Sequence, residues 1–232
     1  LGAGLSEVEW VMNGYILIFA VLLITLGRLG DMWGRKRLFL AGLGLFTLAS
    51  LACGLAQSPG ALIAARVVQG RGGALMMPQT LSLIAVTFPA SQRGLAMGLW
   101  GATAGLATAL GPTLGGLIVD GVSWRWIFLV NLPVGAVAIG AAVFILREST
   151  DPTAHRRLDF PGVAAITVAM FALTFALIEG QGYGWTSATI LCLFALCVVG
   201  LVAFYFLERR RPHALMQLDL FRNRTFSAGN AT

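Results

Sequence analysis

The chain has 232 residues, 57% of them hydrophobic and only 11% charged, and its mean hydropathy is +0.82. A soluble domain is nearer a quarter charged and could not hide so many long apolar runs, so the composition marks a membrane protein. The net charge of +6 does not point to nucleic acid: the cations fall in short clusters between apolar runs, with no continuous basic face and no stacking aromatics among them.

A membrane-spanning helix needs roughly 20 apolar residues. Seven segments meet that requirement, at 10–27, 38–57, 60–88, 94–119, 126–146, 162–179 and 187–207. The period-2 alternation of a membrane barrel is absent, so the expected fold is all-α, a polytopic transmembrane helix bundle. The loops at 28–37, 89–93, 147–161 and 208–232 hold Arg28, Arg35, Lys36, Arg37, Arg93, Arg147, Arg156, Arg157, Arg209, Arg210, Arg211, Arg222 and Arg224. The opposite loops hold only Arg125. Excess Lys and Arg mark cytoplasmic loops, so the expected orientation has these four loops and the C-terminal end inside. Seven spans then start outside, yet residues 1–9 carry no initiator Met, signal peptide or basic flank. A missing preceding span is the simplest expectation. The other end, FRNRTFSAGNAT, stops in a loop, and the chain reads as a fragment.

The first inner loop, GRLGDMWGRKR at 27–37, concentrates five charges among three glycines. Gly30 and Gly34 are four apart and on a helix would leave one bare stripe for a close neighbour. Asp31, among cations, can accept hydrogen bonds from an Arg or a helix N-terminus. A plain positive-inside anchor accounts for the same residues.

In the segment 60–88, Arg66, Gln69, Gly70, Gly73, Met77 and Thr80 share one helical face. Arg66 lies roughly 9 Å in from the outer end of the span, and a charge within the bilayer faces a cavity or a partner. Arg71 is rotated from it by about 140° and cannot face the same cavity. Arginine does not release a proton, so Arg66 is expected to position, pair or repel. No acid lies deep in a span. Glu7, Glu9, Asp120 and Glu179 sit near outer ends, and Asp31, Glu148, Asp151, Asp159, Glu208 and Asp219 at or in inner loops. In the segment 94–119, Gly101, Gly105, Thr108, Pro112 and Gly115 form another face, almost without side-chain bulk. There a partner helix could approach the backbone and Thr108 could hydrogen-bond across, while Pro112 could bend the helix. Cys53, Cys192 and Cys197 lie in apolar runs, fit no metal or disulfide spacing and read as packing residues.

The 27–37 run resembles the loop between the second and third spans of the major facilitator superfamily, whose pattern is G-x-L-a-D-x-x-G-R-K/R. Gly27, Leu29, Gly30, Asp31, Gly34, Arg35 and Lys36 fit it, with Gly30 where alanine is common. RVVQGRGGALMMP at 66–78 is similar to the fourth-span motif R-x-x-Q-G-x-G-x-A. GLATALGPTLGG at 105–116 resembles the fifth-span antiporter motif, which adds Gly111 and Gly116 to the set. Trp124-Arg125-Trp126-Ile127-Phe128 and Asn131-Leu132-Pro133-Val134-Gly135 look like the fourteen-span drug:proton antiporter branch.

The resemblance implies family spans two to eight, a partial N-terminal half with two extra central helices. Residues 1–146 would be a five-span transport bundle lacking its first span, and 147–161 a cytoplasmic loop. Residues 162–207 would be two linker spans, and 208–232 a cytoplasmic loop leading to the absent C-terminal half. The implied function is proton-coupled export of lipophilic or cationic drugs by alternating access in the plasma (inner) membrane. Small molecules, protons and lipid would be its partners, with neither enzymatic chemistry nor a cofactor. A dedicated metabolite or antibiotic exporter, or a non-transporting receptor or scaffold, are the other readings. The implied roles are a conformational latch (Gly27, Gly30, Asp31, Gly34, Arg35, Lys36), a proton-coupling cavity face (Arg66, Gln69, Gly70, Gly73, Met77, Thr80) and antiporter-motif helix packing (Gly101, Gly105, Gly111, Pro112, Gly115, Gly116). Met76, Met77 and Met97 would give substrates an adaptable surface. The proton-carrying acid would lie in the first span, outside this chain.

Overall fold

The computed structural model describes residues 2–150 and 159–209, which form eight α-helices and no strand. In chain order these are α1 (Leu5–Trp33), α2 (Arg35–Leu55), α3 (Pro59–Thr87), α4 (Ala90–Gly121), α5 (Trp126–Leu129), α6 (Asn131–Ile145), α7 (Phe160–Tyr183) and α8 (Ala188–Arg209). The helices divide between two compact units, Leu1–Pro152 and Thr153–Thr232.

Helix boundaries follow local chemistry. Ser58 caps α3, its hydroxyl accepting from the amide of Ala61 at 3.2 Å, and Pro59 takes the first helical position. Pro89 separates α3 from α4. The break between α1 and α2 is a single residue, Gly34, at φ 115°. The 28–37 segment is therefore not an extended loop. Its Arg, Leu and Met residues are good helix formers, so helix runs on to Trp33 and resumes at Arg35.

Six helical segments are long and apolar enough to cross a membrane: α1, α2, α4, α5 and α6 taken together over Trp126–Ile145, α7 and α8. The expected seventh, 60–88, forms the 29-residue helix α3 but is too polar to join them. Arg66, Gln69, Arg71 and Gln79 dilute its apolar character. Helix α3 is instead enclosed by neighbours, which is where polar side chains in a membrane helix are tolerated.

In the first unit α1 and α2 both pack along α3. Small residues permit the approach. A methyl group at Gly42 of α2 would come within 2.9 Å of the Gly72 carbonyl of α3, and one at Gly70 would meet the Tyr15 carbonyl of α1 at 2.7 Å. Cys53, Ala56, Leu62 and Ala65 form a core flanked by Val11, Trp124 and Phe128. Arg125 ties the segment before α5 to the end of α2, Nη2 donating to the Ala56 carbonyl at 3.3 Å. No residue of α4 is buried.

The second unit is a hairpin of α7 and α8 around Ala169, Ala172 and Cys197. A methyl at Gly200 would come within 2.9 Å of Ala169 Cβ. Asp159 and Glu208, expected at or in inner loops, lie at helix ends, before the first residue of α7 and in the last turn of α8, and both are buried. The positive end of α7 favours the carboxylate at its N-terminus. Cys53 and Cys197 are buried and Cys192 is exposed.

Candidate functional site

Arg66 is the centre of a polar cluster joining four helices. Its Nε donates to the Val11 carbonyl of α1 at 2.9 Å, and Nη1 donates to Gln69 Oε1 at 2.6 Å. The guanidinium lies 4.2 Å from the Tyr15 ring centroid and 5.8 Å from that of Phe128. Stacking on aromatic faces suits this weakly hydrated, planar cation.

Gln69 passes the contact on. Its Nε2 donates to Ser50 Oγ of α2 at 2.6 Å, and Ser50 Oγ donates to the Phe46 carbonyl at 2.9 Å. Asn131 Nδ2, at the start of α6, donates to the same hydroxyl at 3.4 Å. The Ser50 hydroxyl thus has one donation and two acceptances, its full capacity. Cys53 Sγ lies 3.9 Å from Gln69 Oε1. Ser50 and Gln69 are fully enclosed, where an unmet polar group costs about 1–3 kcal/mol. Among the described residues no carboxylate pairs with Arg66.

Four of the six residues expected on this α3 face converge. Gly70 and Gly73 give α1 room, since a methyl at Gly73 would meet the Tyr15 hydroxyl at 2.7 Å. Met77 and Thr80 do not join them. Met77 is exposed, and the Thr80 hydroxyl donates to its own helix at the Met76 carbonyl. Arg71 is exposed, consistent with its rotation away from Arg66. Ser50, Tyr15 and Gln79 escaped sequence reasoning because their partners lie on other helices, distant along the chain.

At the junction of α1 and α2, Arg35 donates from Nε and Nη2 to Asp31 Oδ1 at 2.9 and 2.7 Å. The pair bridges the Gly34 break, joining the last turn of α1 to the first residue of α2. Gly30 and Gly34 do not share one stripe, because Gly34 ends the helix. Gly30 faces the Gln79 side chain of α3, and any Cβ there would overlap it. Gln79 is wholly buried and donates to the Leu26 carbonyl at 3.0 Å. Gly27 faces Pro78.

Lys36 turns away from Asp31. Its Nζ donates to the carbonyls of Val143 and Leu146 at the end of α6, at 2.6 and 2.7 Å. Glu148 returns the contact to the start of α2. Its Oε1 accepts from the Lys36 amide at 3.1 Å, and its Oε2 from the Arg37 amide at 3.2 Å and, as an ion pair, from Arg37 Nε at 3.5 Å. The Arg35 amide donates to the Ser149 carbonyl at 3.0 Å. By sequence Glu148 is an acid at an inner loop, and its partners on α2 lie more than a hundred positions earlier.

The antiporter-motif face lies apart from both clusters. A methyl at Gly101, Gly105, Gly111, Gly115 or Gly116 would meet nothing within 4 Å. The Thr108 hydroxyl donates to its own helix at the Ala104 carbonyl, not across a helix contact. Pro112 sits inside α4 without ending it. Met97 is likewise exposed.

The family model described as Major Facilitator Superfamily matches residues 1–215. The tetracenomycin C resistance and export protein of Streptomyces glaucescens is 40% identical, covering 99% of this chain and 43% of the relative. The multidrug resistance protein Stp of Mycobacterium tuberculosis (strain CDC 1551 / Oshkosh) is 41% identical, covering 99% and 43%. The methylenomycin A resistance protein of Streptomyces coelicolor is 42% identical, covering 99% and 48%. The chain thus spans less than half the length of these relatives. It is a multi-pass membrane protein, and it belongs to the Major Facilitator Superfamily.

Proposed function

We propose that this chain works as part of a longer secondary transporter that exports lipophilic or cationic drugs in exchange for protons, with no enzymatic step. The observation that carries the reading is the enclosed Arg66 cluster. A permanently charged group held by α1, α2, α3 and α6 inside a membrane bundle is costly without a task. The relatives named for multidrug resistance and antibiotic export support drug-like substrates. Arg66, Gln69, Gly70 and Gly73 would shape the cavity wall, and Asp31 with Arg35 would form the latch. The bare α4 face, with Gly101, Gly105, Gly111, Pro112, Gly115 and Gly116, would seat helices from the rest of the transporter. The proton carrier would be an acid outside these residues. Reconstituted full-length protein should export ethidium when a proton gradient is imposed and stop when the gradient is collapsed. No proton-dependent efflux of any tested compound would favour a scaffold. Export of one antibiotic class alone would favour a dedicated exporter, which the tetracenomycin C and methylenomycin A relatives also support.

The proposed domain organisation is a five-span partial bundle over 1–146, a cytoplasmic loop over 147–161, two linker spans over 162–207 and a cytoplasmic loop over 208–232 leading to a C-terminal half. Of these, residues 151–158 and 210–232 lie outside the described residues, and α8 runs on to Arg209. Residues 1–232 alone, reconstituted in vesicles, are expected not to transport, because alternating access needs a second half for the first to move against. Proton-driven efflux by that piece would refute the expectation.

The proposed orientation in the plasma (inner) membrane follows the cationic loops. The two ends of α4 test it. Cysteine at the exposed Val122 should react with an impermeant maleimide added to intact cells, and cysteine at Ser91 should not. The reverse pattern would overturn the orientation.

A further inference from the structure

Helix α2 opens with three consecutive cations, Arg35, Lys36 and Arg37. The N-terminus of a helix is its positive end, with unmet amides, so this is the unfavourable place for them. The positive-inside rule puts cations at this boundary regardless. The conflict requires an anion, and Glu148 supplies it from 112 residues away, meeting the amides of Lys36 and Arg37. The mirror problem sits at the end of α6, where the last carbonyls lack donors, and the Lys36 ammonium meets two of them. Each helix end is capped by a side chain belonging to the other's segment. Gly34 is required for this. At φ 115° it turns the chain, and a methyl there would come within 2.7 Å of the Glu148 carboxyl.

Apolar packing does not do the same work at this end. Phe144 and Ile145 of α6 are 89% and 74% exposed. An apolar crevice of about 250 Å³, lined in part by Phe39, Leu83, Ile84 and Leu146, lies between α2, α3 and α6. Beside the buried Ala142 and part-buried Leu146, the polar exchange is the specific contact between this end of α6 and the start of α2.

We propose that Lys36 and Glu148 are positioning residues forming a permanent brace, which makes α2 and α6 one rigid body and presents Arg35 to Asp31. The latch motif then divides into two parts with different tasks. Asp31 and Arg35 remain for switching, while Lys36, with two of its three donors on the carbonyls ending α6, does not exchange partners during transport. The effect on transport rests on the transporter reading above; the brace itself does not.

The test uses full-length protein in nanodiscs, spin-labelled at cysteines replacing Ala41 of α2 and Phe144 of α6. The 41–144 distance distribution should be narrow. Glu148→Ala and Lys36→Met should each broaden it, and efflux of ethidium by the same variants in vesicles should fall at least tenfold. Glu148→Gln, which keeps an acceptor but loses the charge, should lie between. If Glu148→Ala cannot be recovered from the membrane, Glu148→Gln and Lys36→Met decide, and both must broaden the distribution. An unchanged distribution in these variants would overturn the brace whatever the efflux. Broadening in a protein that transports nothing would leave the brace standing and remove the transporter reading.

Discussion

Arg66→Ala in the full-length protein is expected to abolish the proposed proton-driven efflux, and Arg66→Lys to lose most of it while still binding substrate. The guanidinium holds the Val11 carbonyl, Gln69 Oε1 and the Tyr15 face at once. Hydrogen bonds from a charged donor are worth about 1.5–3 kcal/mol each, and a desolvated cation–π contact about 2 kcal/mol. An ammonium is a point charge and cannot keep that geometry. Losing one such contact shifts a two-state equilibrium by at least about tenfold. Alanine also strips Gln69 of its charged donor and exposes the buried chain through Ser50 to Asn131. Arg71→Lys should be far milder, because Arg71 is exposed on another side of α3. Efflux and substrate binding measured from pH 5.5 to 8.5 separate the cases. A purely structural cation would tolerate lysine, so wild-type efflux by Arg66→Lys across that range would end the coupling role.

The sequence made the Arg66 face legible because a helix has a fixed period and a charge in an apolar run has few explanations. Arg66, Gln69, Gly70 and Gly73 therefore came out together. Their partners did not, since Ser50, Tyr15 and Asn131 lie on other helices and no pattern along the chain records which helices touch. Met77 and Thr80 share the period but lie a turn or more further along α3, where Pro78 and Gln79 instead meet α1. Glu148 was hidden for the same reason as Ser50. Its meaning depends on a contact with residues more than a hundred positions earlier. At 27–37 the glycines and charges looked like a loop, yet only Gly34 needs a non-helical backbone. The bare face of α4 is the opposite case. Its spacing was plain in the sequence, and no described residue covers it.

Asp31→Asn is expected to lower efflux about tenfold while expression and membrane insertion stay near normal. Asp31 sits in the last turn of α1, the negative end of that helix, and Arg35 at the positive end of α2. Each charge is on the wrong side for its own helix dipole, and each is offset by the other across Gly34. A pair built this way would suit a switch, because its members lose favour as soon as they part. Their side chains are 28% and 15% exposed, so the contact is less screened than a surface ion pair, which is worth about 0–1 kcal/mol. Two donors on one carboxylate oxygen raise it to roughly 1.5–3 kcal/mol, enough for the tenfold effect. Asparagine keeps an oxygen in the same place and removes only the charge. If the cluster were an anchor, the variant would make this boundary more positive and leave transport intact. Arg35→Lys separates the two cases further, since it keeps the charge balance but loses the paired Nε and Nη2 donors. Reduced efflux from both variants with correct labelling at positions 122 and 91 fits a latch. Unchanged efflux from both would leave only the anchor.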